Sequence, residues 1–250
     1  MKTINLILQG KGGVGKSLVS SLLYQYLLGK GYPVLGVDTD PVNNTLAAYK
    51  ELNVTTLDIM KSDMDVDRGK LDQLMELVLN DENENRHFVV DNGAATFLPL
   101  CAWMRENQTI EMWRDAGMIV YLHSVVTGGQ AQKDTLDGLQ ILMKYFDAPI
   151  VVWLNSYAGE ISHTNQSGEV LTFEDFGIYH DYSERFAAVI RIPLKHPQTF
   201  GRDVENLLKS HQTFATATAL NNPEFPVMTR QRLKIFWREC AAEIDKARLF

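Results

Sequence analysis

The octapeptide Gly10-Lys11-Gly12-Gly13-Val14-Gly15-Lys16-Ser17 constrains this chain more than any other stretch, because its chemistry requires a strand before it and a helix after it. In the spacing G-x-x-x-x-G-K-S, backbone N–H groups of a glycine-rich turn surround phosphate oxygens. The closing lysine reaches the terminal phosphates, and the serine hydroxyl turns to Mg²⁺. Both neighbours are present. Thr3 to Gln9 has the pattern of a buried strand, and after Ser17 the residues Val19, Leu22, Leu23, Tyr26 and Leu27 recur at helical spacing. A bare turn needing glycine would not also supply lysine, serine, strand and helix in this order. Gly10, Gly12, Gly13, Val14, Gly15, Lys16, Ser17 and Leu18 are therefore assigned to a nucleoside triphosphate, Lys16 as a catalytic cation and Ser17 to the metal. Lys11 is a second lysine within the loop, and the general pattern does not account for it.

Gly31-Tyr32-Pro33 ends the first helix, and Val34 to Asp38 forms the next strand, which completes a strand-helix-strand crossover. Further apolar runs at His87 to Asp91, Met118 to Leu122, Ile150 to Asn155 and Ala187 to Pro193 alternate with helical stretches such as Leu71 to Leu79 and Leu136 to Phe146. Strands that are nearly all apolar imply an α/β, three-layer fold with a mostly parallel central sheet flanked by helices. Ligands of such sheets sit at the carboxyl ends of the strands, the edge to which Gln9, Asp38, Asp91, Asn155 and Arg191-Ile192-Pro193 fall. The length of 250 residues fits one domain. The polar stretch near 157–181 is expected to be an insertion on the ligand edge, and no internal repeat is present.

Asp38-Thr39-Asp40-Pro41 places two carboxylates one residue apart beside the expected triphosphate position. Two readings are open: metal and water chemistry, or a capped turn into a helix starting near Asn44. Asp91 ends a strand next to the phosphate loop and is the natural second carboxylate for Mg²⁺, with a strand-end cap as the alternative. The small residues Gly93-Ala94-Ala95 follow it. Val125 to Gln130 is expected to open a helix, either as a plain helix-opening turn or as a segment that touches nucleotide or forms a dimer surface.

Lys11-Gly12-Gly13-Val14-Gly15-Lys16-Ser17 resembles the deviant Walker A motif of the ParA/MinD family of ATPases. The resemblance implies that Lys11 reaches across a homodimer interface to the partner's nucleotide, so that Lys11 joins the catalytic and ATP-binding sets. It also implies that Asp38 belongs to the Mg²⁺ shell, that Asp40 orients the attacking water, and that Asn155 and Pro193 flank adenine. Arg191, on the same strand end as Pro193, is grouped with the nucleotide-binding residues. Wider phrases, among them Val37-Asp38-Thr39-Asp40-Pro41-Val42-Asn43, Leu57-Asp58-Ile59-Met60, Val90-Asp91-Asn92-Gly93-Ala94, Val125-Val126-Thr127-Gly128-Gly129-Gln130 and Met228 to Lys234, resemble the plasmid conjugal-transfer TraL proteins, a ParA/MinD-like group. What this implies is a slow ATPase with ATP and Mg²⁺ as cofactors. It would dimerise on ATP and act in plasmid conjugal transfer, stability or positioning, with a plasmid transfer or partition protein as partner.

Three other classes compete. A P-loop biosynthetic enzyme resembling dethiobiotin synthetase would lack a lysine at position 11. A metal-cluster carrier needs paired cysteines, and Cys101 and Cys240 form no such pair. An ATP-binding switch with little hydrolysis is compatible with every residue named. The net charge of −7 argues against broad constitutive binding of DNA or anionic membrane, leaving room for a local patch. No signal-peptide pattern and no apolar run of membrane-spanning length occur, so a cytoplasmic location is expected, with peripheral association at the inner membrane or nucleoid as a variant. His123, His163 and His180 have no metal-ligand spacing. Near 229–249, Leu233, Phe236, Trp237, Cys240 and Ile244 share a helical face with basic residues around it, which fits docking on the sheet or lying on a membrane surface.

Overall fold

The computed structural model describes residues 1–40, 44–62 and 65–250. Pro41, Val42 and Asn43 of the acidic phrase lie outside the described residues. In chain order the elements are β1 (Thr3–Ile7), α1 (Lys16–Gly29), β2 (Val34–Asp38), β3 (Val54–Thr56), β4 (Met60–Ser62), β5 (Asp65–Val66), α2 (Arg68–Leu79), β6 (His87–Asp91), α3 (Phe97–Glu106), α4 (Thr109–Asp115) and β7 (Ile119–Thr127). They continue with α5 (Gln132–Tyr145), β8 (Ile150–Asn155), β9 (Ser162–Thr164), β10 (Val170–Thr172), α6 (Gly177–Tyr182), β11 (Phe186–Ile192), α7 (Arg202–Ser210), α8 (Phe214–Ala217) and α9 (Val227–Ala247).

A seven-stranded sheet runs in the order β11-β8-β7-β1-β6-β2-β3, and every neighbouring pair in it is parallel. The apolar character of β1, β2, β6 and β8 follows from this position, since helices cover both faces and each of these strands is buried throughout. Alternate residues serve opposite layers. Ile4, Leu6 and Leu8 pack with Leu71, Leu74, Phe97, Trp113 and Leu142 from α2 to α5, whereas Ile7, Val89, Val125 and Trp153 pack with Leu22, Leu23, Phe214, Leu233, Phe236 and Ile244 from α1, α8 and α9.

Two expectations change. The apolar run after Met118 does not stop at Leu122. It continues as strand to Thr127, opposite Asn155, because Val125 and Val126 are fully buried between helices like the residues before them. The helix expected from near Asn44 is a turn. Asn44 is left-handed (φ 39°), and the N–H of Ala47 is taken by the Asp38 carboxylate at 2.9 Å rather than by a helical carbonyl. The polar stretch 157–181 folds into the β9–β10 hairpin and α6, and its Phe173 is buried against Phe176, Tyr179 and Phe186. At the chain's end, α9 turns Leu233, Phe236, Cys240 and Ile244 into the core, so the stripe is used for packing on the sheet.

Candidate functional site

In the register of the sheet, Ile7, Asp38 and Asp91 stand side by side, as do Thr127, Asn155 and Ile192. Everything leaving those positions emerges on one edge, and the glycine-rich loop crosses its centre. Gly13 and Gly15 are left-handed (φ 74° and 104°), which turns the loop's backbone around a hollow of about 480 Å³ lined by Gly12, Lys16, Ser17, Asp40, Thr45, Ala94 and Leu208. A side chain at Gly15 would also collide with the Asn155 amide, 2.8 Å from its Cβ position. The N-terminus of α1 has no side-chain cap, so its free N–H groups and dipole face the hollow.

The two lysines part company here. Lys16 is buried, and its Nζ donates to the Lys11 carbonyl at 2.9 Å. Burial pushes its ammonium below the ordinary range, while Asp91 and Asp40 pull it back up. Lys11 stands on the outer shoulder of the loop, where its Nζ meets Asp134 at 2.7 Å, with the two side chains 44% and 49% exposed. Asp134, in the first turn of α5, is held below the usual carboxylate range by that contact.

The carboxylates differ as sharply. Asp38 accepts from the N–H groups of Asp40 (3.0 Å) and Ala47 (2.9 Å), one on each oxygen, and thereby shapes the segment that follows β2. Burial raises it despite those donors. Asp91 accepts from Ser20 Oγ at 2.9 Å through one oxygen, while Oδ2 is buried with no protein donor. Burial pushes Asp91 up to about 7, with the Ser17 and Ser20 hydroxyls and Lys16 acting in the opposite direction. A buried carboxylate oxygen without a partner, beside a serine hydroxyl and a hollow fit for phosphates, is a donor set suited to Mg²⁺. Asp40 sits against Gly93, where a Cβ would lie 3.0 Å from its carboxyl carbon. Asn92 ties the two acidic segments together: its Oδ1 accepts from Thr39 (3.2 Å) and Thr96 (2.7 Å).

A second cavity, about 200 Å³, opens off the same loop at Gly13, Gly15 and Leu18. Its walls are Ile192, Pro193, Phe200, Val204, Leu208 and Phe236, with Asn155, Tyr157, Lys195 and Glu205 as polar members. An apolar slot beside a phosphate hollow fits a planar base. Asn155 faces it with a carboxamide already engaged, since Nδ2 donates to Val14 O (2.9 Å) and Oδ1 accepts from Tyr157 N (3.2 Å). Arg191 does not line the slot; it pairs with Glu174 in a neighbouring groove bounded by Ile161, Phe173 and Glu239. The structure thus gathers Gly12, Gly13, Gly15 to Leu18, Asp40, Asn155 and Pro193 around two joined hollows, with Gly10, Val14, Asp38 and Asp91 behind them, Lys11 on the rim and Arg191 outside. Gln9 is a further part of the scaffold. Its buried amide accepts from Gly10 N (2.9 Å) and donates to Val125 O and Thr135 O (3.0 Å each). Tyr157 and Glu205 carried no motif, and Asn92 was part of the phrase Val90 to Ala94 without a role of its own.

A family model described as the CobQ/CobB/MinD/ParA nucleotide binding domain matches residues 6–231. A protein named TraL from Escherichia coli is 40% identical over 249 residues, covering 99% of both chains. Among solved structures, the MinD cell division protein of Aquifex aeolicus superposes with a TM-score of 0.51 at 16% identity, covering 94% of this chain and 95% of the other. A ParA family ATPase from Chlorobium tepidum gives 0.50 at 15% identity, covering 94% and 97%. At these identities the two structures speak for the fold, a parallel sheet between helical layers.

Proposed function

The chain belongs to the CobQ/CobB/MinD/ParA nucleotide-binding family, and from that premise we propose that it is a Mg²⁺-dependent ATPase whose product is a change of assembly: ATP joins two copies and hydrolysis parts them. The observation that carries this reading is the placement of Lys11. Lys16 already fills the cation position inside the phosphate hollow, while Lys11 stands half-exposed on its shoulder, paired with Asp134 and outside the hollow's lining. A cation there serves a nucleotide best when a second copy presents one.

Asp91 and Ser17 are the residues that would hold Mg²⁺, which when bound neutralises charge on the phosphates. Asp38 acts behind them by fixing the backbone of Asp40 and Ala47. Asp40 lies at the wall of the hollow, against Gly93, where it orients a water towards the terminal phosphate. The base occupies the slot between Asn155 and Pro193. Likeness to TraL over 99% of the chain supports a role in plasmid conjugal transfer, stability or positioning, with a protein of that machinery as partner.

Light scattering of wild type, Lys11→Ala and Asp40→Ala with ADP or ATP tests the reading. ATP is expected to dimerise the wild type, Lys11→Ala to bind ATP and stay monomeric, and Asp40→Ala to remain dimeric with ATP long after the wild type has separated. A wild-type chain that binds ATP and stays monomeric would remove the shared-site mechanism.

A further inference from the structure

We propose that Tyr157 and Glu205 form a clasp across the mouth of the base slot, and that its opening sets how fast the nucleotide leaves. The proposal rests on the nucleotide-binding reading above and assigns it two residues that no motif marks.

Tyr157 is the second residue after β8, in the short helical turn Ser156–Ala158 that begins the insertion. Its backbone is fixed by Asn155, which caps the turn at Tyr157 N and with its other amide atom holds Val14 O of the phosphate loop. One residue thus references the tyrosine to the phosphate-binding loop. The ring crosses to the opposite wall and lies against Gly201, where a Cβ would come within 2.8 Å of Cε2. Its hydroxyl donates to the Glu205 carboxylate on α7. Val204 and Leu208 of that helix line the slot, so the bond joins its two sides. Tyr157 is half-exposed, as a rim residue must be, and apart from Asn155, whose amide is engaged, and Lys195, which pairs with Glu239, the rest of the lining is apolar with few groups for a base to bond. Retention of a base in such a slot depends on contact with a flat ring and on exclusion of water, and an aromatic tied by a charge-assisted bond supplies both.

The clasp also gives the insertion a connection to the nucleotide. The turn that carries Tyr157 continues through Gly159, packed on Gly129, to Ser162, whose backbone N–H and C=O are both bonded by the Gln132 amide at 3.3 and 2.9 Å. Gln132 and Asp134, the partner of Lys11, lie in the same turn of α5.

Dissociation of ribose-labelled mant-ADP, chased with unlabelled ADP in stopped flow, tests the proposal. ADP keeps the measurement on the nucleotide and away from dimer formation. Loss of one charge-assisted bond predicts that Tyr157→Phe and Glu205→Ala each speed release roughly fivefold to tenfold. Tyr157→Ala, which also loses the ring, is expected to exceed tenfold. Glu205→Gln keeps an accepting oxygen and is expected to stay within about threefold of wild type. The decisive measurement is the double variant Tyr157→Phe with Glu205→Ala: both changes delete one bond, so release is expected to be no faster than for the faster single variant. Displacement of mant-ADP equilibrium binding by tripolyphosphate reports the phosphate hollow, and the tripolyphosphate affinity extracted from it is expected to be the same in all variants. Single effects under twofold, or effects that multiply in the double variant, would overturn the clasp. A wild type that binds tripolyphosphate but not ADP, followed by calorimetry, would remove the base slot and the clasp together while leaving the phosphate loop. Failure to bind either would remove the nucleotide reading itself.

Discussion

Asp38 and Asp91 are partners in register on adjacent strands, yet they are satisfied in opposite ways. Both oxygens of Asp38 accept backbone N–H groups, whereas Oδ2 of Asp91 is buried without a donor. Removing Asp38 orphans two N–H groups and leaves a void, which costs about 2–4 kcal/mol. Removing the charge of Asp91 relieves burial of a carboxylate that desolvation already pushes towards its neutral form, so Asp91→Asn is expected to lie within about 1 kcal/mol of wild type or above it when no nucleotide is present. Urea denaturation distinguishes them, and a Mg²⁺ titration of ATP affinity is expected to show loss of metal dependence for Asp91→Asn. The reverse ranking would exchange the roles of the two residues. Both aspartates could be placed at strand ends from the sequence, because each closes a buried apolar run. Which one keeps a free oxygen could not be read there, since it depends on a turn that brings Ala47 back onto Asp38. The same holds for Asn92, whose bonds to Thr39 and Thr96 unite segments more than fifty residues apart.

Among the elements, the strands were most legible, and the segments between them least. A run buried on both faces has no period to read, so nothing in the sequence separated Val125-Val126-Thr127 as strand from the same residues as a helix-opening turn. The phrase Thr127-Gly128-Gly129 acquires its meaning only against β8 and the insertion. A Cβ on Gly128 would lie 2.3 Å from the carbonyl oxygens of Gly159 and Glu160, and one on Gly129 would lie 2.6 Å from that of Ala158. These are backbone atoms, which cannot swing aside as a side chain would. Gly128→Ala is therefore expected to cost more than about 3 kcal/mol, or to be accommodated by lifting the insertion from α5. Limited proteolysis separates the two, with new cleavage confined to 157–176 marking displacement. An alanine variant as stable and as protease-resistant as wild type would show that the close approach is not required. The same contact explains why a stretch that looks like a polar insertion is built into the fold, with Phe173 buried at its far end.

At the scale of the whole molecule, one layer of the core carries a polar chain that hydropathy gave no reason to expect. Trp153 Nε1 donates to His123 Nδ1 at 3.0 Å, so the ring proton is on Nε2, which donates to Asn5 Oδ1 at 3.1 Å. Asn5 Nδ2 donates to Thr3 Oγ1 (3.1 Å) and to Phe88 O (3.0 Å), and Thr3 Oγ1 lies 2.7 Å from His87 Nδ1. The chain crosses β8, β7, β1 and β6 in succession and ends where His87 meets Tyr32 and Phe250. Single-strand patterns could not reveal it, because each member looks like an isolated polar residue in an apolar run. Burial holds His123 at about 3 and His87 at about 4, both below the ordinary 6.5. For a group depressed in the folded state, the unfolded chain binds the proton first. Its stabilisation is complete above about pH 6.5 and is lost as pH falls towards the folded values. At pH 5 the loss from His123 alone is about 2 kcal/mol relative to pH 8. His123→Gln is expected to be less stable than wild type at pH 8, where the chain of bonds is broken, and to decline less steeply between pH 7 and 5, by about one proton in the slope. Urea midpoints across that range give both quantities. If the variant and the wild type fell in parallel, His123 would be taking up its proton in the folded protein, and the bonds that carry it across the sheet would have to be drawn differently.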